Sequence, residues 1–290
     1  MERKKFLQIA STSLGILALN NYANASSFFE TEAKLKQFGI QLYGVRDTLD
    51  NNPGDVLKKL AGFGYKQIES FEHSKYGLYM GMGNKGFKTF VNDLGMSIPS
   101  VHSNAYINFE KNVESAAEIG VKYFIYNWEG PGKTLDDYKK MAEDFNKKGE
   151  FCNKHNIRFA FHNHDYTFKE IDGVFIQEML LKNTEKKLVD FQIDLYWTIT
   201  AGKDPVAHLN KFPDRYKLVH FKDRKAGSTE RDGVAICELG TGTINFKNIL
   251  KQIKKTDIAY YIVDQDTCND RANPLECARV DAQFMKNLKY

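Results

Sequence analysis

Residues 157–164 read IRFAFHNH, a short apolar stretch that turns polar at its end. Successive side chains of a β-strand point to opposite faces, so Ile157, Phe159 and Phe161 share one face. The other face carries Ala160, His162 and His164. One apolar face and one face that ends in polar groups predict a barrel strand with functional residues at its C-terminal end.

The same kind of run recurs along the chain and alternates with longer amphipathic stretches. The predicted strands are Phe38–Tyr43, Lys66–Ser70, Ile98–His102, Lys122–Tyr126, Ile157–His162, Val189–Asp194, Lys217–His220 and Tyr260–Asp264. Predicted helices include Pro53–Phe63, Leu135–His155, Phe246–Lys255 and Pro274–Leu288. Eight strand–helix units without an internal linker predict an α/β fold, a single (β/α)8 TIM barrel.

A doubly wound parallel sheet is the alternative fold for such alternation. That fold normally carries a glycine-rich phosphate-binding turn after its first strand. The segment Tyr43-Gly44-Val45-Arg46 is not such a turn. The later Gly240-Thr241-Gly242 is interpreted as an ordinary turn, so the barrel is preferred.

Residues 1–25 have the three parts of a signal peptide in order. A basic start precedes the apolar run Phe6–Leu19, and Ala23-Asn24-Ala25 forms a cleavage site. We therefore predict a signal peptide over 1–25, a barrel domain over 26–290, and export to the periplasm. An amphipathic first helix of the domain is the alternative. The apolar run is shorter than the ~20 residues needed to span a bilayer, which predicts no stable membrane insertion.

The charge and the cysteines narrow the class of partner. The formal net charge is +4, and the leader holds three basic residues and one acidic residue, so it supplies +2 of this. The remaining charges are scattered, whereas nucleic-acid binders concentrate basic residues on one face. We expect a small carbohydrate ligand, no nucleic acid, and leave a homodimer open. Among the four cysteines, Cys268 and Cys277 could pair in an oxidising compartment or stay free.

Alternation on six predicted strands turns polar side chains inward near the C-terminal ends. Each one alone could be a buried hydrogen-bonding residue, but together they favour a working site, because burying many ionisable groups is costly. The candidate metal ligands are His162, Asp194, His220 and Asp264. Two carboxylates and two imidazoles from four consecutive strands suit Mn²⁺, Co²⁺, Zn²⁺ or Mg²⁺.

Further groups are predicted around this cation site. A metal would polarise the carbonyl of a hydroxy-ketone, and a flanking side chain would move a proton at the neighbouring carbon. The candidate catalytic residues are Glu69, His164, Lys222 and Asp266. The candidate substrate-binding residues are Tyr43, Arg46, His102, Trp128 and Trp197. Aromatic rings suit the apolar face of a sugar, with ordinary packing as the alternative.

Five segments resemble the xylose isomerase-like TIM barrel superfamily, and more closely the exported sugar phosphate isomerase/epimerase-like proteins of Bacteroidetes-type bacteria. They are GIQLY (39–43) with Arg46-Asp47, FHNHD (161–165), IDLYW (193–197), VHFKD (219–223) and VDQD (263–266). The resemblance implies a divalent-metal site with Glu, Asp, His and Glu from strands five to eight. Asp194 and His220 match this pattern, whereas His162 and Asp264 replace the two glutamates.

Related epimerases also use those two glutamates as their proton-transferring pair, so the replacements count against a two-base epimerase. The expected function is nevertheless a periplasmic, divalent-metal-dependent sugar isomerase or epimerase. The alternatives are a lyase or hydratase that acts on keto-glycosides through the same site, and a sugar-binding barrel without catalytic activity.

Overall fold

The computed structural model describes residues 32–50, 52–228, 235–267 and 273–290. The predicted signal peptide (1–25) and Cys268 lie outside these ranges. Eight parallel strands form a closed barrel. The strands are β1 Gly39–Gln41, β2 Gln67–Phe71, β3 Ser97–His102, β4 Tyr123–Tyr126, β5 Arg158–His162, β6 Val189–Asp194, β7 Tyr216–Phe221 and β8 Tyr260–Val263. The predicted (β/α)8 barrel is thereby confirmed, and the doubly wound alternative is wrong.

Helices follow the strands and surround the barrel. They are α1 Arg46–Leu49, α2 Pro53–Phe63, α3 Gly83–Asp93, α4 Phe109–Glu118, α5 Leu135–Lys154, α6 Ile176–Asn183, α7 Leu195–Thr200, α8 Pro205–Lys211, α9 Phe246–Gln252 and α10 Pro274–Asn287. Two short antiparallel ribbons, Glu170–Ile171 with Val174–Phe175 and Asp223–Arg224 with Ile236–Cys237, extend the loops after β5 and β7. No helix in the described ranges is both long and apolar enough to cross a bilayer.

The barrel closes through the first strand. Gly39 pairs with Ile262 on one side and with Gln67 on the other. A Cβ atom at Gly39 would lie 2.6 Å from Ile262 Cδ1 and 2.8 Å from Gln67 Cβ, so the close approach of these strands requires glycine. Because Gln41 Oε1 accepts a hydrogen bond from the Tyr43 N–H, β1 ends two residues earlier than predicted, in a 3₁₀ turn.

The barrel interior has an apolar layer below a polar one. Ile125, Ala160 and Leu218 form a small buried cluster of their own, separate from the core between strands and helices. Ala160 therefore points into the barrel, on the strand face that the alternation assigned to it. Farther along the strands, the interior is filled by charged and polar side chains. The C-terminal end of the barrel is where the site begins.

Candidate active site

Glu69 lies on β2 and is fully buried. Its Oε1 accepts a hydrogen bond from Gln41 Nε2 at 3.0 Å, and its Oε2 accepts one from Ser100 Oγ at 2.6 Å. The Nε2 atoms of His102 and His220 lie 2.9 and 2.6 Å from Oε1. Burial alone would raise the pKa of Glu69, but the two imidazoles hold it well below its ordinary value. Glu69 is therefore an ionised carboxylate that orients its neighbours.

Gln192 transmits this orientation to two histidines. Its Nε2 donates to Glu69 Oε2 at 2.8 Å, which directs Oε1 toward the imidazoles. His102 Nε2 and His162 Nδ1 lie 2.8 and 2.9 Å from Oε1. Because an amide oxygen only accepts, each of these nitrogens carries a proton. Burial, reinforced by His220, lowers the pKa of His162 well below its ordinary value. His162 is thus neutral, with the lone pair on Nε2.

His220 lies between two carboxylates. Its Nε2 donates to Glu69 Oε1 at 2.6 Å, and its Nδ1 donates to Asp264 Oδ2 at 3.0 Å. Burial alone would lower the pKa of His220, but the two carboxylates raise it to about 10. Both ring nitrogens of His220 are therefore occupied, and His220 would bind a metal only after it loses one proton and the hydrogen bond that this proton makes.

The Lys222 ammonium group lies among three carboxylates. Its Nζ is 2.6 Å from Asp266 Oδ2, 2.8 Å from Asp264 Oδ2 and 3.2 Å from Asp194 Oδ2. Burial alone would lower the pKa of Lys222, but these carboxylates raise it well above its ordinary value. Lys222 is therefore a fixed positive charge inside the barrel.

Two buried carboxylate oxygens of the described site have no hydrogen-bond partner, Asp194 Oδ2 and Asp264 Oδ1. Asp194 Oδ1 is occupied, because it accepts from the Trp197 N–H at 2.8 Å and caps α7. Ligand atoms of Asp194, His220 and Asp264 lie within 4.8 Å of one another, as do those of His102, His162 and His220. Asp194 Oδ2 is ion-paired with Lys222 Nζ at 3.2 Å, whereas Asp264 Oδ1 has neither contact. Carboxylate oxygens beside the unprotonated Nε2 of His162 are ligand types that fit a divalent cation.

A cavity of about 750 Å³ opens above this cluster at the C-terminal ends of the strands. All five predicted substrate-binding residues line it, namely Tyr43, Arg46, His102, Trp128 and Trp197. The predicted ligands His162 and Asp264 also line it, as do the predicted catalytic residues His164 and Asp266. The other predicted residues, Glu69, Asp194, His220 and Lys222, form the buried layer beneath.

His164 stands on the cavity wall among aromatic rings. Its ring centroid lies 4.7 Å from that of Trp128 and 5.2 Å from that of Trp197, and its ring stacks on Tyr166. Its Nδ1 is buried without a hydrogen-bond partner. Burial, reinforced by Lys222, lowers the pKa of His164 well below its ordinary value. His164 is therefore a neutral imidazole with an unused nitrogen.

Sequence reasoning missed several polar residues that hold the site. Gln41, Ser100 and Gln192 bind Glu69, and Glu72, Asn104 and Asp165 line the cavity. The alternation of strand residues directs Gln192 inward, and this is the available signal. A neutral side chain, however, is less conspicuous as a functional group than a charged one. Sequence spacing gives no indication of the hydrogen bond from Gln192 to Glu69.

The glycine pair of Gly240-Thr241-Gly242 does more than turn the chain. The main-chain N–H groups of Gly240 and Gly242 donate to Asp223 Oδ2 at 2.9 and 3.0 Å, and that of Ile244 donates to Oδ1 at 3.0 Å. A Cβ atom at Gly242 would collide with the Asp223 carboxylate. The loop therefore cradles the carboxylate that follows Lys222.

A closed (β/α)8 barrel with ionisable groups under a cavity at its C-terminal face has the architecture of the TIM-barrel enzymes. The chain belongs to the xylose isomerase-like TIM barrel family, whose model matches residues 57–288. Its relatives include sugar isomerases, epimerases and dehydratases. The family predicted from five sequence segments is thereby confirmed.

Two relatives illustrate this membership, and one further protein shares the fold. The inosose dehydratase of Clostridium beijerinckii is 27% identical over 169 residues, which are 52% of this chain and 54% of that protein. The chain thus spans about half the length of the curated relatives it matches. A sugar phosphate isomerase/epimerase from Parabacteroides distasonis ATCC 8503 is 28% identical, with a TM-score of 0.73, over 88% of this chain and 94% of that one.

The fold neighbour is the IolI protein, whose crystal structure contains a bound zinc atom. It is 12% identical to this chain, with a TM-score of 0.67, over 85% of this chain and 95% of that one. At this identity the likeness concerns the fold alone.

Proposed function

We propose that this protein is a divalent-metal-dependent enzyme that removes a proton next to the carbonyl of a polyhydroxylated ketone and eliminates water. The observation that carries the proposal is the neutral His164 imidazole, which lines the cavity beside the carboxylate and imidazole cluster and whose Nδ1 has no hydrogen-bond partner. A single imidazole base suits elimination, whereas epimerisation needs a proton-transferring group on each face of the carbon.

The reaction assigns separate tasks to residues around the cavity. His164 takes the proton from the carbon beside the ketone, and the electron pair passes into the enolate. Asp266 lines the cavity as a carboxylate, because Lys222 Nζ donates to it at 2.6 Å, and it accepts a hydrogen bond from a substrate hydroxyl. The protonated His164 then gives its proton to the departing hydroxyl, so that water leaves. A cation held by His162, Asp194, His220 and Asp264 would polarise the ketone oxygen and stabilise its negative charge.

The curated relatives support elimination, because the Clostridium beijerinckii protein named above is an inosose dehydratase. Isomerisation of a hydroxy-ketone is the second candidate. The likeness to the Parabacteroides distasonis sugar phosphate isomerase/epimerase favours it. A single base that returns its proton to the neighbouring carbon would suffice for that reaction.

Metal binding is tested first, on the full barrel stripped with a chelator and titrated calorimetrically with Mn²⁺ and Zn²⁺. We expect one site per chain in the wild type, lost in Asp194→Ala and His220→Ala. The matched control is Asp257→Ala, which removes an exposed carboxylate paired with Lys217 and should bind normally. Full metal occupancy in both site variants would contradict the assignment.

The reaction is tested in D₂O by NMR with Mn²⁺, inososes and keto-sugars. Elimination yields a dehydrated ketone. Isomerisation instead gives an aldose that carries deuterium from the solvent. Binding without either product would favour a sugar-binding barrel.

The proposal includes export directed by residues 1–25. Sequencing the mature N-terminus from a periplasmic fraction should give Ser26.

A further inference from the structure

The exposed large hydrophobic side chains of the described residues are gathered on one face. They are Tyr43 (41% exposed), Tyr106 (53%), Ile107 (60%) and Trp128 (53%). Tyr43 follows β1, Tyr106 and Ile107 follow β3, and Trp128 follows β4, so all four lie at the C-terminal end of the barrel. A cluster of exposed apolar groups at one place on a surface indicates a binding site.

Two of these rings belong to the cavity and are held in place. Tyr43 packs edge-on against Phe71 at 5.4 Å, and the Arg46 guanidinium covers its ring at 4.1 Å. Arg46 is itself fixed, because its Nη1 donates to the Asp266 main-chain oxygen at 3.0 Å. Trp128, which follows β4, packs edge-on against His164, with the two ring centroids 4.7 Å apart. The aromatic walls are therefore connected to the residues proposed for catalysis.

The cavity is larger than one sugar ring requires. Pockets of roughly 300–1,000 Å³ enclose drug-sized ligands. Taking roughly 30 Å³ for each water-sized group, about 750 Å³ accommodates about 25 such groups, roughly twice the dozen non-hydrogen atoms of a hexose. The polar groups lie at the inner end, whereas the exposed rings lie at the mouth.

We propose that Tyr43 and Trp128 form an outer subsite for the second ring of a two-ring ligand, so that the substrate is a glycoside rather than a free monosaccharide. The shared chemistry of that ring is a flat apolar face, which a second sugar or an aryl group supplies. The proposal rests on the proposed function only for the reacting sugar at the inner end. Recognition of the outer ring is independent of turnover.

Ligand binding tests the subsite without any reaction. Two-ring and one-ring ligands are titrated calorimetrically into the wild type and Trp128→Ala. The two-ring ligands are phenyl glycosides and disaccharides of glucose, galactose and mannose, and the one-ring ligands are these three monosaccharides. Quenching of tryptophan fluorescence is a second readout, because both tryptophans of the chain, Trp128 and Trp197, line the cavity. The matched control is Ile107→Ala, which removes an exposed apolar group that does not line the cavity.

In at least one series, we expect a two-ring ligand to bind about tenfold tighter than its monosaccharide. Trp128→Ala should lose this gain, and Ile107→Ala should keep it. A gain confined to phenyl glycosides identifies an aryl group, and one confined to disaccharides identifies a second sugar. The subsite is refuted if no two-ring ligand binds more tightly, or if Trp128→Ala keeps the gain. It is also refuted if Trp128→Ala changes only the sedimentation coefficient, which would indicate a contact with a second copy.

A failure of the proposed function would look different. In that case the gain from the second ring persists, while chelation and the Asp194→Ala substitution leave all the chemistry and metal measurements unchanged.

Discussion

Replacing Glu69 tests whether this buried carboxylate holds the site together. Its five hydrogen-bonding neighbours are Gln41, Ser100, His102, Gln192 and His220. In Glu69→Ala all five lose the Glu69 carboxylate, although His102 Nε2 keeps Gln192 Oε1 as an acceptor. Each buried donor left unsatisfied costs roughly 1–3 kcal/mol. If relaxation leaves two of them unsatisfied, the loss is roughly 2–6 kcal/mol. Breaking a buried ion pair costs a similar ~3–5 kcal/mol. We therefore expect Glu69→Ala to lower the free energy of unfolding by about 4 kcal/mol.

Glu69→Gln keeps the shape of the side chain but loses its negative charge. Its new amide N–H groups face neighbouring side chains that are themselves hydrogen-bond donors. Hydrogen bonds to charged groups contribute about 1.5–3 kcal/mol, so this variant should lose about 2 kcal/mol. Urea denaturation measures both values, with Glu114→Gln as the control because Glu114 is an exposed glutamate of α4 that does not line the cavity. Mn²⁺ affinity should also fall about 10–100-fold in Glu69→Gln, since a residue that orients a metal ligand typically has this effect.

Two results would overturn this reasoning. If Glu69→Ala stays within about 1 kcal/mol of wild type, the network does not stabilise the barrel. If Glu69→Gln keeps its stability and metal affinity but loses all turnover, Glu69 acts on the substrate directly, as the sequence had predicted.

Three further substitutions test a buried carboxyl group and the packing of two helices. Burial, reinforced by nearby carboxylates, raises the pKa of Asp281 well above its ordinary value, so its stabilising contribution is present at low pH and lost as pH rises through that pKa. Asp281→Asn still accepts a hydrogen bond from the Leu239 N–H. In thermal unfolding it should raise the free energy of unfolding by roughly 1–3 kcal/mol at pH 8 and by less at pH 5. An equal gain at both pH values would contradict this. Gly149→Ala should lower the free energy of unfolding by about 1–3 kcal/mol, because its Cβ would lie 2.6 Å from the Leu188 main-chain oxygen. Gly62→Ala, with open space around it in α2, should raise the free energy of unfolding by up to about 1 kcal/mol.

The fold could be predicted because barrel strands are recognisable from short stretches of sequence. In β5 the apolar residues Phe159 and Phe161 alternate with inward residues, and that alternation depends only on neighbours in sequence. Strand ends were less predictable, because side-chain contacts decide them. β1 ends at Gln41, whose own side chain caps the following turn.

The ionisable part of the site could also be predicted, because a charged residue on an inward face is conspicuous in the sequence. The roles within the site could not. Glu69 was expected to act on substrate, yet it lies under the cavity and binds His220, which is 151 residues away in the sequence. Gln192 sets the tautomers of two histidines through contacts that only the closed barrel creates.

The balance of charge inside the barrel gives an independent reason to expect a cation. Four buried or half-buried carboxylates, Glu69, Asp194, Asp264 and Asp266, face Lys222 and the protonated His220. Four negative against two positive charges leave an excess of two negative charges, and this excess grows to three when His220 loses a proton to bind a metal. Uncompensated buried charge is costly. Burial raises the pKa of Asp194 and of Asp266, as expected where positive charge is scarce. His162 adds no charge because it is neutral, so the proposed divalent cation would supply the positive charge that these side chains lack.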